Sequence, residues 1–271
     1  MRVSFAVVAC AFLFVACSER SDDAPVAAAT SEVAEAKPSE APASAAPAEA
    51  RKESVSNDLY EFEYAYPAPA ASIPKLKSWF DADLEEQRRD LIKDGQEQLE
   101  QSKKNDFPYH PLGYWANWKV VTDLPGWLSL SGSISTYEGG AHPNHGFDAL
   151  VWDRQANQRR EPEDFFSSED ALSRAIRRDF CRELDKQREK KRGAPVKADS
   201  DDPFSECINP TDSTVILGSS SGKAFDRIGI LVAPYEAGPY AEGDYEVTLP
   251  VTEAVMTVVK PEYRAAFAKG R

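Results

Sequence analysis

Residues 18–56 contain no aromatic side chain and consist mainly of alanine, proline, serine and glutamate. Such a stretch buries too little apolar surface to offset the entropy of ordering it, so it is predicted to stay disordered. Its scattered prolines make it a semi-extended tether. Folding therefore falls to the remaining 215 residues, 57–271, enough for one fair-sized domain or two small interlocked ones.

Ahead of the tether, Arg2 is the only charge in an otherwise apolar opening, and Val3 to Val15 is a greasy run of 13 residues. About 20 are needed to cross a bilayer, so residues 1–16 read as a secretory signal. The segment Phe14-Val15-Ala16-Cys17 resembles the lipobox of bacterial lipoproteins. There the cysteine is acylated, with palmitate-type chains, and becomes the first residue. The leucine usual three places before the cysteine is here Phe14, with Leu13 one place further back. The alternative is an ordinary signal peptide cut nearby, with Cys17 incidental. Cutting before Cys10 would leave too short an apolar core. The resemblance implies a lipid bilayer as one partner, through Cys17. Ser18 follows where an aspartate would imply inner-membrane retention, so the outer membrane, facing the periplasm, is expected; an organism with a single membrane would place the chain on its cell surface.

The chain carries 45 acidic and 32 basic residues, a net charge of −13. The leader holds one base and the tether eight acids and four bases, which leaves −10 on residues 57–271. That excludes nucleic acid as a natural partner. It suits a cationic partner, although solubility alone explains an acidic exported domain. Two cysteines lie beyond the leader, Cys181 and Cys207. In an oxidising compartment an even pair is expected to bond. The loop closed would be about 26 residues, worth roughly 3–4 kcal/mol on chain-entropy arithmetic.

Tyr60, Phe62, Tyr64 and Tyr66 alternate with polar or small residues, the period of a strand with one aromatic face. After Ser72-Ile73-Pro74, apolar residues at Leu76, Trp79, Phe80, Leu84, Leu91, Ile92 and Leu99 share one face of a long helix reaching Lys104. Gly95 weakens that helix without ending it. Strands follow at 118–121, 128–134 and 147–152, then a helix from Ser167 or Ser168 to Arg192, a loop over 193–210, and strands at 214–217, 225–232 and 245–249. Short helices over 251–259 and 261–267 close the chain. Strands and helices mix without a strict strand–helix–strand repeat, so the fold class is α+β with antiparallel sheet.

The densest local signal is Tyr137-Glu138-Gly139-Gly140-Ala141-His142-Pro143-Asn144-His145-Gly146-Phe147-Asp148. Its paired glycines permit positive φ, and Asn144 and Gly146 suit a turn between strands. A tyrosine, two glycines, Ala-His and then Phe-Asp entering a strand resembles an exported bacterial domain family. That RsiV/PdaC-type module is shared by a lysozyme-responsive anti-sigma factor and by peptidoglycan deacetylases, where it precedes the catalytic domain. Asp164-Phe165-Phe166, the run Ala233-Pro234-Tyr235-Glu236-Ala237-Gly238-Pro239-Tyr240-Ala241-Glu242-Gly243, and Leu249-Pro250 fit the same pattern in order. The resemblance covers roughly residues 57–268. It implies an α+β fold in two intergrown parts, about 57–155 and 156–271, and a binding or sensing role without established catalysis. This chain shows neither the transmembrane and cytosolic segments of the anti-sigma factor nor an appended deacetylase domain.

His142-x-x-His145 with Asp148 or Glu138 could hold a divalent metal, but a flexible loop lacks the one-face spacing of a helix. A turn-fixing role for His142 is the plainer reading. Tyr235, Tyr240 and Tyr245 with Pro234 and Pro239 offer an aromatic platform for sugars or protein, or else a corner buttress. Trp115, Trp118 and Trp127 read as core or rim. Gly218-Ser-Ser-Ser-Gly222-Lys223 only mimics a phosphate loop, because a hairpin is expected there. The expectation is a lipid-anchored, non-catalytic envelope lipoprotein that needs no cofactor. Its partner is expected to be a cationic muramidase-type protein or peptidoglycan. The alternatives are a metal-dependent hydrolase of envelope glycan using His142 and His145, and a structural envelope accessory.

Overall fold

The computed structural model describes residues 48–196 and 202–271. The leader, Cys17 and the tether up to residue 47 lie outside the described residues. Among the described residues no helix is long and apolar enough to cross a membrane.

The sheet starts earlier than composition implies. Arg51–Ser56 is a strand, β1, paired antiparallel with β2 (Tyr60–Tyr66). The tether read to residue 56 is therefore corrected: its last six residues belong to the sheet. They hold there through charge rather than apolar area. Arg51 donates to Asp81 at 2.6 Å, Lys52 pairs with Glu63, and Arg88 reaches back to Glu53.

On β2 the alternation falls as expected, with Phe62, Tyr64 and Tyr66 buried. Buried phenols need partners, and the next helix supplies them. Tyr64 donates to Asp83 at 2.5 Å and Tyr66 to Asp81 at 2.6 Å. Both phenols are pushed up from their usual range, first by burial and then by those carboxylates. After a short turn, α1 (Ala68–Ala71), comes the long helix α2 (Pro74–Asn105). Ile73 rather than Ser72 is its N-cap, while the Ser72 hydroxyl donates to Pro69 O at 2.7 Å. Leu76, Phe80 and Leu84 face the sheet, and Phe80 stacks on Tyr66 with centroids 4.8 Å apart.

The chain then forms β3 (Leu112–Asp123), β4 (Trp127–Tyr137), β5 (Asn144–Asp153) and the short β6 (Gln158–Arg160), giving a six-stranded sheet in chain order. All neighbours are antiparallel except β2 and β3, which run parallel with α2 as the crossover. That single parallel pair departs from the all-antiparallel expectation, because a helix of this length carries the chain back to the same end of the sheet.

The second core lies under α3 (Glu169–Arg192). Ser168 caps the helix by accepting from Ala171 N at 3.1 Å, and Lys190, Lys191 and Arg192 sit where the helix dipole favours cations. It packs on a three-stranded antiparallel sheet of β7 (Thr214–Gly218), β8 (Arg227–Val232) and β9 (Tyr245–Pro250), closed by α4 (Glu253–Val258) and a 3-10 turn over Pro261–Ala266. The serine run 219–221 lies in the β7–β8 hairpin, as read. Cys181 and Cys207 are bonded, with Cα atoms 5.6 Å apart. The outer face of the first sheet meets the second through Ala149, Ile216 and Leu231, flanked by Val121 and Phe147. Thr214 Oγ1 donates to Phe147 O at 3.0 Å across that junction.

At the edge of β5, Asp148, Glu161, Glu163 and Thr214 line a recess of about 160 Å³. Burial, reinforced by Glu161, Glu169 and Asp164, pushes the Glu163 carboxyl from its ordinary 4.5 up to about 7. The folded form then holds a proton that the unfolded chain has released between those two values. Stability contributed by this group is complete below about pH 4.5 and falls as pH rises toward 7. Glu163→Gln is expected to raise stability at about pH 8 by roughly 1–2 kcal/mol and to change little near pH 4. Urea midpoints of both proteins at the two pH values check this; an equal effect at both would rule out titration as the cause.

Candidate functional site

Tyr137 ends β4 and Asn144 begins β5, so residues 138–143 form the connecting loop. Gly139 sits at φ +85°, a backbone state other residues avoid. Gln98 of α2 donates to Glu138 O at 3.0 Å and steadies the loop. Its tip carries His142, exposed to solvent. The His142 Nδ1 lies 2.9 Å from Pro143 O. A carbonyl can only accept, so Nδ1 carries the proton and Nε2 of the neutral ring is left as an acceptor.

That acceptor is met from 93 residues away, by the Tyr235 hydroxyl at 3.3 Å. Tyr240, from the same distant segment, donates to Pro143 O at 3.0 Å and stacks on His142 with centroids 3.8 Å apart and planes 21° from parallel. Tyr235 and Tyr240 are themselves 5.6 Å apart. The two densest motifs of the sequence thus form one cluster of three rings. Tyr235 is 54% exposed and sits at φ +72°. A bulky residue held left-handed costs about 1–3 kcal/mol, which a mere corner buttress does not require.

Beside this cluster lies a shallow cleft of about 350 Å³, lined by Glu61, His110, Trp115, Tyr137 and the 141–143 loop. Strand register explains its floor. Gly113 pairs with Glu61 on β2 and Tyr137 on β4, all three on the outer face. The Trp115 indole folds back over Gly113, where a Cβ would come within 2.5 Å of its Cζ3. The glycine is the space in which the indole lies. On the helix side of the same strand ends is a second cleft of about 420 Å³, lined by Asp90, Asp94, Gln98, Gly113, Tyr114 and Glu138, with Tyr137 shared between the two. Burial pushes the Tyr114 phenol above its usual range.

The other residues singled out from sequence disperse. His145 bonds Ser135 at 2.9 Å and sets its ring edge-on to Phe147. Asp148 lies three positions further along β5, hence on the opposite face, and accepts from Ala149 N at 2.7 Å. His142, His145 and Asp148 are not gathered around one point, and among the described residues no group of three His, Cys, Asp or Glu side chains is arranged to hold a metal ion. Gly140 and Asn144 shape the loop ends, and Pro234 leads into Tyr235. Of the tryptophans, Trp118 and Trp127 lie in the two cores, while Trp115 belongs to the cleft. Trp115 and Trp118 are three apart on one strand, so opposite faces follow from period two alone. Glu61 and His110 carry no comparable signal.

Residues 53–145 match the family model described as deacetylase PdaC. That segment supplies Glu61, Trp115, Tyr137 and His142, but not Tyr235 or Tyr240. The fold is similar to that of a DUF3298 family member from Bacteroides fragilis, at 16% identity and TM-score 0.52, over 79% of this chain and 94% of that one. A DUF3298 family protein from Pseudomonas aeruginosa aligns at 15% identity and TM-score 0.46, over 83% and 99%. No curated protein matches. The matched segment, about a third of the chain, is similar to the PdaC family, and the fold over most of the chain is similar to that of a DUF3298 family member.

Proposed function

We propose that this chain is a lipid-anchored envelope protein whose domain binds peptidoglycan glycan without transforming it. One observation carries the reading: the His142 loop and the Tyr235–Tyr240 segment meet as a ring stack beside the Trp115 cleft. Sugar rings present apolar C–H faces and polar edges. Aromatic planes suit the faces; Glu61, the His142 edge and the tyrosine hydroxyls suit the hydroxyl and amide edges. An open cleft admits a polymer from the side, whereas an enclosed pocket suits a small metabolite. The anchor at Cys17, with the outer membrane as its site, rests on the leader and on Ser18. A cationic muramidase-type protein is the second reading, favoured by the neighbouring cleft with Asp90, Asp94 and Glu138.

The test uses the full-length chain in detergent, with muropeptides and, separately, lysozyme at two salt concentrations. Muropeptide binding that varies little with salt and weakens about tenfold in Tyr240→Ala is expected, tenfold being about 1.4 kcal/mol. Binding of lysozyme alone, collapsing with salt, would transfer the assignment to the cationic protein. Binding of neither removes both readings. In cells, radiolabelled palmitate should mark the chain and not its Cys17→Ser variant; label on neither would remove the anchor.

A further inference from the structure

One buried charge has no part in the site so far described. Arg188 is 0% exposed, on the last turns of α3. A guanidinium out of water must have its donors met, and each is met on a different segment. Nε donates to Ala237 O at 2.9 Å, in the middle of the Tyr235–Tyr240 arm. Nη2 donates to Glu206 O at 3.1 Å, and Nη1 reaches Asp185 on the same helix at 3.1 Å. Arg192, one turn on, repeats the grip: it donates to Ala237 O at 3.3 Å and to the Glu242 carboxylate at 2.8 Å. Ala237 itself is fully buried. The arm that offers Tyr235 and Tyr240 to His142 is thus held by its middle carbonyl.

The second grip of Arg188 lies beside the disulfide. Glu206 precedes Cys207, which is bonded to Cys181 on α3. Arg177 also holds this segment, donating to Cys207 O at 2.9 Å, but from an exposed position where water competes. Both cysteines are half-buried at the edge of the second core.

We propose that the Cys181–Cys207 bond is a thiol-sensitive latch on the aromatic site, acting through Arg188 as a positioning residue. Its link to ligand binding rests on the reading given under Proposed function. The reductant is a dithiol. One of its thiolates attacks a protein sulfur and the Cys181–Cys207 bond breaks; its second thiol then displaces the mixed disulfide. Two cysteine thiols result, and the dithiol leaves as a disulfide, having supplied two electrons and two protons. Without the crosslink the 206 carbonyl is held near Arg188 by hydrogen bonds to its neighbours, from Arg177 to Cys207 O, Arg192 to Phe204 O and Ser173 to Asn209, and is less tightly fixed. The guanidinium then turns toward what acceptors remain, and the Ala237 carbonyl, with the two tyrosines, shifts from its place against His142.

The experiment follows the His142 ring in the full-length chain in detergent by NMR. Only three histidines are present, and His142→Ala assigns the signal. Complete reduction, confirmed by counting thiols, is expected to move the His142 signal and to weaken muropeptide binding about tenfold, within the usual range of site-to-site coupling; reoxidation restores both. Arg188→Met with the disulfide intact should reproduce the shift, and Arg188→Lys should retain part of the grip. An unmoved His142 signal after full reduction overturns the latch. If reduction unfolds the chain, Arg188→Met with the disulfide intact decides: an unchanged His142 signal there overturns it as well. A moved signal with no muropeptide binding in either redox state upholds the latch and sinks the glycan reading instead.

Discussion

Phe165→Ala is expected to cost the domain about 3–5 kcal/mol, the usual range for emptying a fully buried phenylalanine site. The reason is position. Phe165 ends a 3-10 turn over Pro162–Phe165 and is 0% exposed. Its ring meets Tyr263 at 4.7 Å, Trp127 at 5.0 Å, Phe225 at 5.9 Å and Phe267 at 6.0 Å. Trp127 opens β4 in the first sheet, Phe225 precedes β8 in the second, and the other two lie on the C-terminal segment. One side chain therefore ties three parts of the chain together. Its carbonyl also accepts from Lys260 N at 2.9 Å. Since whole domains are stable by about 5–15 kcal/mol, the variant should lose a large share of its margin, with the C-terminal turns loosening first. Urea unfolding measures the loss, and Phe107→Ala, at a side chain 47% exposed, is the control expected to change little. A loss under about 1 kcal/mol for Phe165→Ala would show that the neighbouring rings close over the gap, and would deny Phe165 its central place.

What the sequence discloses, it discloses through period and punctuation. The β2 alternation, the α2 stripe and the Ser168 cap depend on near neighbours, and each stands where local rules put it. β1 escapes because only Val55 in Arg51–Ser56 is a strand-forming apolar residue; its place is won by ion pairs to α2, which no local pattern announces. The parallel pairing of β2 with β3 escapes for a similar reason, since the direction of a crossover is a property of the assembled sheet. For the candidate site, both motifs were visible, but a contact spanning 97 residues between Tyr240 and Pro143 is not written in either. Arg188 shows the opposite case. Ile176, Phe180, Leu184 and Arg188 recur every four positions, so the arginine continues the buried stripe of α3. Among so many basic neighbours it reads as solvated surface, and only its position on that stripe tells otherwise.

Gly113→Ala is expected to weaken ligand binding about tenfold, roughly 1.4 kcal/mol, while changing stability by less than about 1 kcal/mol. The backbone at Gly113 is not left-handed, so a methyl group brings no conformational strain. What it meets is the far edge of the Trp115 indole, which now occupies that space. That indole rests on an open sheet face and can swing toward solvent, so the domain survives while the cleft loses its floor. Gly132 provides the contrast. It faces the helix side, paired with Trp118, and a Cβ there would lie 2.9 Å from that indole. Trp118 is packed against Trp79 and Phe80 and has no exit, so Gly132→Ala should cost about 1–3 kcal/mol through overpacking and leave binding intact in the molecules that remain folded. The same chemical change, at two glycines on two faces of one sheet, thus separates site from scaffold. Muropeptide affinity by calorimetry and urea midpoints read both effects. Unchanged affinity in Gly113→Ala, with altered tryptophan fluorescence proving that the indole has moved, would strike Trp115 from the site and leave binding to the His142, Tyr235 and Tyr240 rings alone.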